Sequence, residues 1–298
     1  MTRAARRVTM YNSDKESEMN VMEWFVWTIG VIVILLWVLL RPGRCKAGQQ
    51  LPFWGVNHAH RGLHTQDKTV PENSLPAFRA AVEAGYGMEL DIQLSKDGQV
   101  MVFHDDTLDR VCGVHGRVDA FTFDELRQMR LCGTEETLPL LTEVFSVVQG
   151  RQPMIIELKT GPRNNELCEK GLALMRAYQQ QYPGAAFCVE SFDPRIVAWF
   201  RRNAPDIFRG QLADEPKSYE DMPALRRFFL GCTLYNVIAR PQFIAYGPGK
   251  KPVLERLAEA MGAVRVCWTV RPQDDIVAKE LENDAVIFEF YKPKPRYK

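Results

Sequence analysis

Glu89 and Asp91 stand two residues apart in an apolar run at 88–94. In an extended strand that spacing puts both carboxylates on one face, where they repel unless something positive lies between them. A hard divalent cation, Ca²⁺ or Mg²⁺, prefers such oxygens, and Glu157 in the run 154–158 offers a third ligand. On spacing alone, a solvated acidic strand end paired with Arg or Lys competes with a metal site. His60 and His104 close two further runs, 53–60 and 100–104. Two imidazoles suit general acid and base work near neutral pH, one taking a proton from an attacking oxygen and one giving a proton to a departing oxygen. Arg61 adds a planar fork that matches phosphate oxygens, and Lys159 a point charge at the same rim. With a cation they would neutralise charge on a pentavalent phosphoryl transition state. Each alone also fits a structural ion pair with the acids.

Around this set, Gly62 lets the backbone turn tightly after its strand. In Pro71-Glu72-Asn73-Ser74, Asn73 or Ser74 reads as a helix N-cap with Pro76 in the first turn. Glu72 has no such structural duty, and is a candidate to orient His60 or Arg61 or to neighbour the metal through water. Asn236 and Trp268, near the ends of later runs, are candidates to line the pocket, with the core as the competing place for Trp268. His58, His64 and His115 stay outside the set, as hydrogen-bonded or solvent-exposed histidines.

The elements that must position these groups begin after residue 50, where short β-rich runs alternate with amphipathic helical stretches. Eight runs are expected as barrel strands: 53–60, 88–94, 154–158, 187–191, 208–212, 234–238, 264–270 and 285–290. Helical candidates between them include 75–84, 166–181, 194–203, 224–229 and 252–261. Residues 100–104 form an extra strand, joined to the second run by the turn Lys96-Asp97-Gly98. Eight βα units in the 248 residues from 51 to 298 match the size of a (β/α)8 TIM barrel, a fold that carries its working groups at the C-terminal ends of its strands. A doubly wound open sheet is the competing architecture.

The 298 residues carry 46% hydrophobic and 25% charged side chains with a net charge of +1, which fits a globular protein and supplies no basic footprint for nucleic acid. Residues 24–40 are 17 in a row without a charge, close to the length a bilayer core requires. Trp24, Trp27 and Trp37 lie toward the ends of that run, and Arg41, Arg44 and Lys46 close it. The expected organisation is a tail at 1–20, a single transmembrane helix at 21–41, a linker at 42–50 and one catalytic domain at 51–298. The three cations directly after the run, against Lys15 alone close before it and Arg3, Arg6 and Arg7 further out, lean the body toward the cytoplasm. The scattered cysteines, with Cys188 and Cys267 inside apolar runs, suit buried thiols in a reducing compartment.

Taken together, five ordered motifs make the sequence resemble the glycerophosphodiester phosphodiesterase family. They are His60-Arg61-Gly62, Pro71-Glu72-Asn73-Ser74, Glu89-Leu90-Asp91, the segment from Asp97-Gly98 to His104-Asp105, and Ile156-Glu157-Leu158-Lys159, with weaker agreement at Ser191-Phe192-Asp193 and Trp268-Thr269-Val270. The resemblance covers about residues 55–290. It implies a (β/α)8 barrel that hydrolyses glycerophosphodiesters to sn-glycerol 3-phosphate and an alcohol. It implies that Glu89, Asp91 and Glu157 hold one Ca²⁺ or Mg²⁺, that His60 and His104 are the acid and base pair, and that Arg61 and Lys159 contact phosphate. A glycerol hydroxyl attacking phosphorus to give a cyclic phosphate that water opens, or direct attack by water, both fit. Where many members carry a Thr-Asp step, this chain reads Ile287-Phe288-Glu289-Phe290, which leaves the role of Glu289 open. The short connection between His104 and Glu157 holds no large inserted domain, so selectivity for the leaving alcohol is unassigned. A phospholipase D type activity on lysophospholipids and a non-catalytic phosphate-binding barrel are the alternative functions.

Overall fold

In a computed structural model, which describes residues 21–46, 48–219 and 223–298, eight parallel strands close into a barrel with helices outside. The strands are β1 (Asn57–Ala59), β2 (Gly87–Leu94), β4 (Met154–Leu158), β5 (Phe187–Ser191), β6 (Arg209–Ala213), β7 (Phe243–Tyr246), β8 (Val264–Val270) and β9 (Ala285–Phe288). Each pairs with the next in chain order, and β1 pairs with both β2 and β9, which shuts the ring. β3 (Val100–Val102) adds antiparallel to β2, the hairpin expected from its turn. Strands buried on both faces read as near-continuous apolar runs, and β4, Met-Ile-Ile-Glu-Leu, is buried throughout.

The alternation within each strand builds two cores. One set of side chains, including Ile156, Leu158, Leu90 and Val189, packs outward against the helices. There α2 (Leu75–Glu83) presents Phe78, Ala81 and Val82, and α3 (Leu141–Val148) presents Leu141, Val144, Phe145 and Val148, the i, i+3, i+4, i+7 stripe of a half-buried helix. The other set, including Ile155, Cys188, Phe208, Phe243 and Val266, fills the barrel interior. Phe243 lies so close to Gly210 on the neighbouring strand that a Cβ there would stand 2.0 Å from its ring, so only glycine fits.

Around the ring follow α4 (Asn164–Gln181), α5 (Pro194–Asn203), α6 (Ala224–Gly231), α7 (Val253–Ala260) and α8 (Ile276–Glu282). One expected strand is not there. Residues 236–239 form a helical turn, Asn236–Ala239, and the sixth barrel strand is β7, further along the chain. The run 234–238 is too short for its apolar residues to separate a strand from one helical turn.

The chain divides into two units at Leu40. Before it, α1 (Val21–Leu40) is 20 residues long with a hydropathy of 2.3 and one acid, Glu23, long and apolar enough to cross a membrane. The tail at 1–20, with Arg3, Arg6, Arg7 and Lys15, lies outside the described residues. In the barrel unit, the segment expected as a linker is hydrogen-bonded to the fold. The Leu40 carbonyl accepts from Asn236 Nδ2 at 3.1 Å, Gly43 N donates to the Pro241 carbonyl at 2.8 Å, and the Arg44 carbonyl accepts from Gln242 Nε2 at 3.0 Å. These partners lie just before β7, at the N-terminal end of the barrel.

Candidate active site

The opposite, C-terminal end of the strands opens into a cavity of about 360 Å³. Glu89 and Asp91 rise from β2 and Glu157 from the register-matched position on β4, so that oxygens of all three lie within 4.8 Å of one another. All three are buried. Burial and the charges of Asp91, Glu157 and Glu190 push the Glu89 carboxyl well up, and Glu157 is raised mainly by burial. Asp91 goes the other way. Burial would raise it too, but His104, Lys159, Arg61 and a hydrogen bond from Asn73 hold it far below the usual carboxylate range.

The local backbone explains that hydrogen bond. Ser74 is the N-cap of α2, its hydroxyl accepting from Ala77 N, while Asn73 in the left-handed region (φ 53°) turns its amide to donate to Asp91 Oδ2 at 2.8 Å. Arg61 is also left-handed (φ 53°), and this aims its backbone N–H at Glu89 Oε2, 2.9 Å away. Gly62 follows at φ 77°, where a Cβ would meet the Ala77 backbone at 2.9 Å. A positive φ in a non-glycine residue is uncommon and here serves the acids directly.

The cations are held by carboxylates. Arg61 Nη1 donates to Glu72 Oε1 at 2.7 Å, and Arg110 bridges Glu72 to Asp105. Lys159 Nζ stands 2.8 Å from Glu157 Oε1 and 3.4 Å from Asp91 Oδ1. Burial would depress the Lys159 ammonium, but these two acids outweigh it and raise it. Arg61 lines the cavity; Lys159 faces the acids from beside it.

Both expected histidines line the cavity, each with Nδ1 turned to a carboxylate: His60 to Glu289 at 3.3 Å and His104 to Asp105 at 2.6 Å. Glu289 also takes His64 Nε2 at 3.0 Å and Arg271 Nε at 2.8 Å, and these partners overcome its burial to keep it ionised. An ionised carboxylate only accepts, so the ring N–H of His60 points at Glu289 and Nε2 carries the lone pair. Burial pushes His60 down to about 4, the Glu289 contact only partly opposing it, so the ring is neutral near pH 7.

Two placements correct the sequence reading. Asn236 does not line the pocket: it is fully buried at the other end of the barrel, bonded to the Leu40 carbonyl, because its run is a helical turn rather than a strand. His64 is not outside the set, since it shares Glu289 with His60. His58 is buried on β1 and His115 is exposed beside Asp109. Trp268 does line the cavity, its indole N–H fixed on the Ala245 carbonyl at 2.8 Å. The sequence reading passed over Glu190, which stands in register beside Glu157 and lines the same cavity, buried, with Oε2 unbonded and its carboxyl pushed well up by burial and by Glu157. Only strand pairing reveals it. Asp105, next to His104, and Glu289, at the end of the last run, carried a positional signal.

The donor set fits a hard divalent cation. Three carboxylates converge, and the buried Asp91 Oδ1 accepts no hydrogen bond, its nearest cation being the Lys159 ammonium at 3.4 Å.

A (β/α)8 barrel with acids, imidazoles and a guanidinium gathered at its C-terminal face defines the class. Within it, the chain belongs to the glycerophosphoryl diester phosphodiesterase family, whose model matches residues 60–292. It is 40% identical over 113 residues to a glycerophosphodiester phosphodiesterase of Caldanaerobacter subterraneus, covering 35% of this chain and 44% of that one. It is 31% identical over 169 residues to lysophospholipase D GDPD1 of Rattus norvegicus, covering 52% of each. The chain thus spans about half the length of these curated relatives. A phosphodiesterase of Oleispira antarctica, solved in complex with the product sn-glycerol-3-phosphate, shares the fold with a TM-score of 0.63 at 23% identity, over 79% of this chain and 93% of that one. A glycerophosphodiester phosphodiesterase of Thermotoga maritima gives 0.56 at 25% identity, over 78% and 93%.

Proposed function

We propose that this chain hydrolyses glycerophosphodiesters to sn-glycerol 3-phosphate and an alcohol, using one divalent cation, Ca²⁺ or Mg²⁺. The observation that carries the reading is the convergence of Glu89, Asp91 and Glu157 at a cavity that His60, His104 and Arg61 share. Family membership and the product bound to the Oleispira antarctica neighbour support the same chemistry.

Held by the three carboxylates, the cation would supply positive charge to a phosphoryl oxygen and to the attacking oxygen. The protein's own groups do the rest. Arg61, locked by Glu72, offers fixed N–H donors to phosphate oxygens. Lys159 balances the acids and contributes its charge at short range. His60, neutral and with Nε2 unprotonated, takes the proton of the attacking hydroxyl as its oxygen bonds to phosphorus. The bond from phosphorus to the alcohol oxygen breaks, and that oxygen takes a proton from His104 Nε2, whose ring is held by Asp105 through Nδ1. If the attacking hydroxyl is water, the product forms at once; if it belongs to the glycerol, the cyclic phosphate is opened by water with the two histidines in exchanged roles.

The apolar α1 supports a single-pass anchor, and Arg41, Arg44 and Lys46 after it favour a cytoplasmic barrel. The likeness to lysophospholipase D GDPD1 supports a second substrate, the lysophospholipids. In favour of water-soluble diesters stands the sn-glycerol-3-phosphate bound to the Oleispira antarctica neighbour. The deciding experiment compares soluble glycerophosphodiesters with lysophospholipid micelles, with Mg²⁺ and Ca²⁺ added separately to metal-stripped protein. Faster release of sn-glycerol 3-phosphate from the soluble diesters is expected. Turnover of lysolipids alone would reverse the order, and phosphate-ester binding with no product under either metal would leave only a binding barrel. Protease protection in sealed membranes tests the orientation.

A further inference from the structure

At the N-terminal end of the barrel, three arginines are held by neutral partners. Arg209 opens β6 and is buried. Its Nη1 donates to the Gln242 amide oxygen at 3.3 Å and its Nη2 to the Arg240 carbonyl at 3.2 Å, while Nε makes no hydrogen bond. Arg201, in the last turn of α5, donates to the Ile238 carbonyl at 2.9 Å, and Arg240 to the Arg41 carbonyl at 2.8 Å. Among the described residues, none of these three guanidiniums is paired with a carboxylate; the acids at the same end, Asp206 and Asp284, are taken by Arg176 at 2.6 Å and Arg265 at 3.2 Å. Burial and the charge of Arg201 push Arg209 down to about 10, and burial with the charges of Arg41 and Arg201 lowers Arg240.

Holding the chain in place does not explain these charges. The carbonyls of Leu40 and Arg44 are bound next to them by the neutral amides of Asn236 and Gln242, without the cost of burying a cation. The last turn of α5 favours Arg201 and Arg202, but Arg209 starts a strand and gains nothing from a helix end. What the three share is a fork that matches the oxygens of an anion. Their place in the chain identifies that anion. Arg41, whose carbonyl Arg240 holds, directly follows α1, the helix long and apolar enough to cross a membrane. Arg240 is therefore tied to the first residue beyond that helix, the level of the headgroups when α1 lies in a bilayer. Ile238, Leu51 and Trp54 are exposed at the same end of the barrel, and apolar side chains among cations suit the boundary between headgroups and acyl chains.

We propose that Arg201, Arg209 and Arg240 form a docking surface that holds the N-terminal end of the barrel on anionic phospholipid headgroups. This goes beyond the hydrolysis proposed above and takes its choice of anion from the reading of α1 as an anchor.

The test is hydrogen exchange on the full chain in uncharged maltoside micelles doped with phosphatidylglycerol or, in parallel, with phosphatidylcholine. One Arg at an anionic surface contributes about fivefold in binding, so the amides of 198–203 and 236–242 should exchange about fivefold or more slowly with phosphatidylglycerol than with phosphatidylcholine. The difference should vanish in about 1 M salt, where charges act only over about 3 Å. Arg201→Gln with Arg240→Gln should bring the ratio to one, and Arg201→Lys with Arg240→Lys should keep most of it. Because the ratio is taken within each protein, a loosened fold cancels out. Equal exchange in the two micelles by wild type overturns the proposal, as does a full ratio in the double Gln variant. The same slowing produced by inorganic phosphate or by polyglutamate in undoped micelles also overturns it, giving the patch to a soluble phosphate compound or to an acidic protein. The α1 amides report separately: their protection with no response from the patch leaves the anchor and removes the docking surface, whereas a response without protection of α1 upholds the docking and removes the anchor. No turnover is read, so a barrel without hydrolytic activity answers as well.

Discussion

Four carboxyl groups at the mouth of the barrel and one in its outer wall are buried, yet they keep different company. Glu89, Asp91, Glu157 and Glu190 share the cavity end with Arg61, Lys159 and the Asn73 amide. Glu255, on α7, is fully buried, and neither of its oxygens accepts a hydrogen bond; the Thr233 hydroxyl beside it donates to the Cys232 carbonyl instead. Burial and the neighbouring Glu259 push Glu255 up to about 8. Burial raises Glu89, Glu157 and Glu190 at the mouth as well. A raised carboxyl is therefore no mark of a site. What separates the mouth is that donors and cations from several strands converge on the same oxygens, next to an opening.

The hardest blow to this contrast would be a mouth that works without its acids. Chelation should take turnover to background, and Glu157→Gln should do the same without a return of activity when Mg²⁺ or Ca²⁺ is restored. His60→Ala and His104→Ala should each lower kcat by about 10² to 10⁴, the usual worth of a positioned acid or base. Steady-state rates on glycerophosphodiesters check all four. Undiminished turnover in either histidine variant would remove the assigned proton carriers.

The outer-wall acid predicts an effect on stability instead. With the folded pKa near 8 and an ordinary value of 4.5, the folded state holds the Glu255 proton more tightly than the unfolded chain does. This contribution is complete below about pH 4.5 and is lost as the pH rises through 8, roughly 1.4 kcal/mol for each unit between. Thermal unfolding followed from pH 5 to pH 9 should show Glu255→Gln losing less stability than wild type, with activity per folded molecule unchanged. Parallel curves would mean that Glu255 has partners after all.

Glu289 sits between these extremes: half its duty is structural, through Arg271, and half is to hold His60. Glu289→Ala should lower kcat about 10- to 100-fold, as loss of such an orienting carboxylate does elsewhere, with KM little changed. Glu289→Asp should recover part of the loss. A KM effect alone would assign the residue to binding.

Much of the mouth was legible because its groups come in short motifs at strand ends. Glu89 and Asp91 share a face by spacing alone, and His60-Arg61-Gly62 announces its own turn. Glu190 was not legible, since nothing in Phe187–Ser191 sets it apart until β5 pairs with β4 and Glu190 falls beside Glu157. His64 and Arg271 needed the ring to close, bringing the first strand against the last. Asn236 failed for a different reason. A few apolar residues suit one helical turn as well as a strand, and only the pairing of β6 with Phe243–Tyr246 decides the matter.

The finest form of the contrast lies in two adjacent residues. Asn73 and Ser74 both precede α2, but the amide of the first serves Asp91 and the hydroxyl of the second serves the helix. Asn73→Gly keeps the left-handed turn without strain and removes only the amide, so cation binding should weaken about tenfold, the low end for a group that orients a metal ligand. Ser74→Ala should cost about 1 kcal/mol of stability, the usual worth of an N-cap, and leave the cation affinity as it was. Calorimetric titration with Mg²⁺ or Ca²⁺ and thermal unfolding of both variants separate the two. If Ser74→Ala weakened cation binding as much as Asn73→Gly, the cap and the acid would be one unit, and α2 itself would belong to the site.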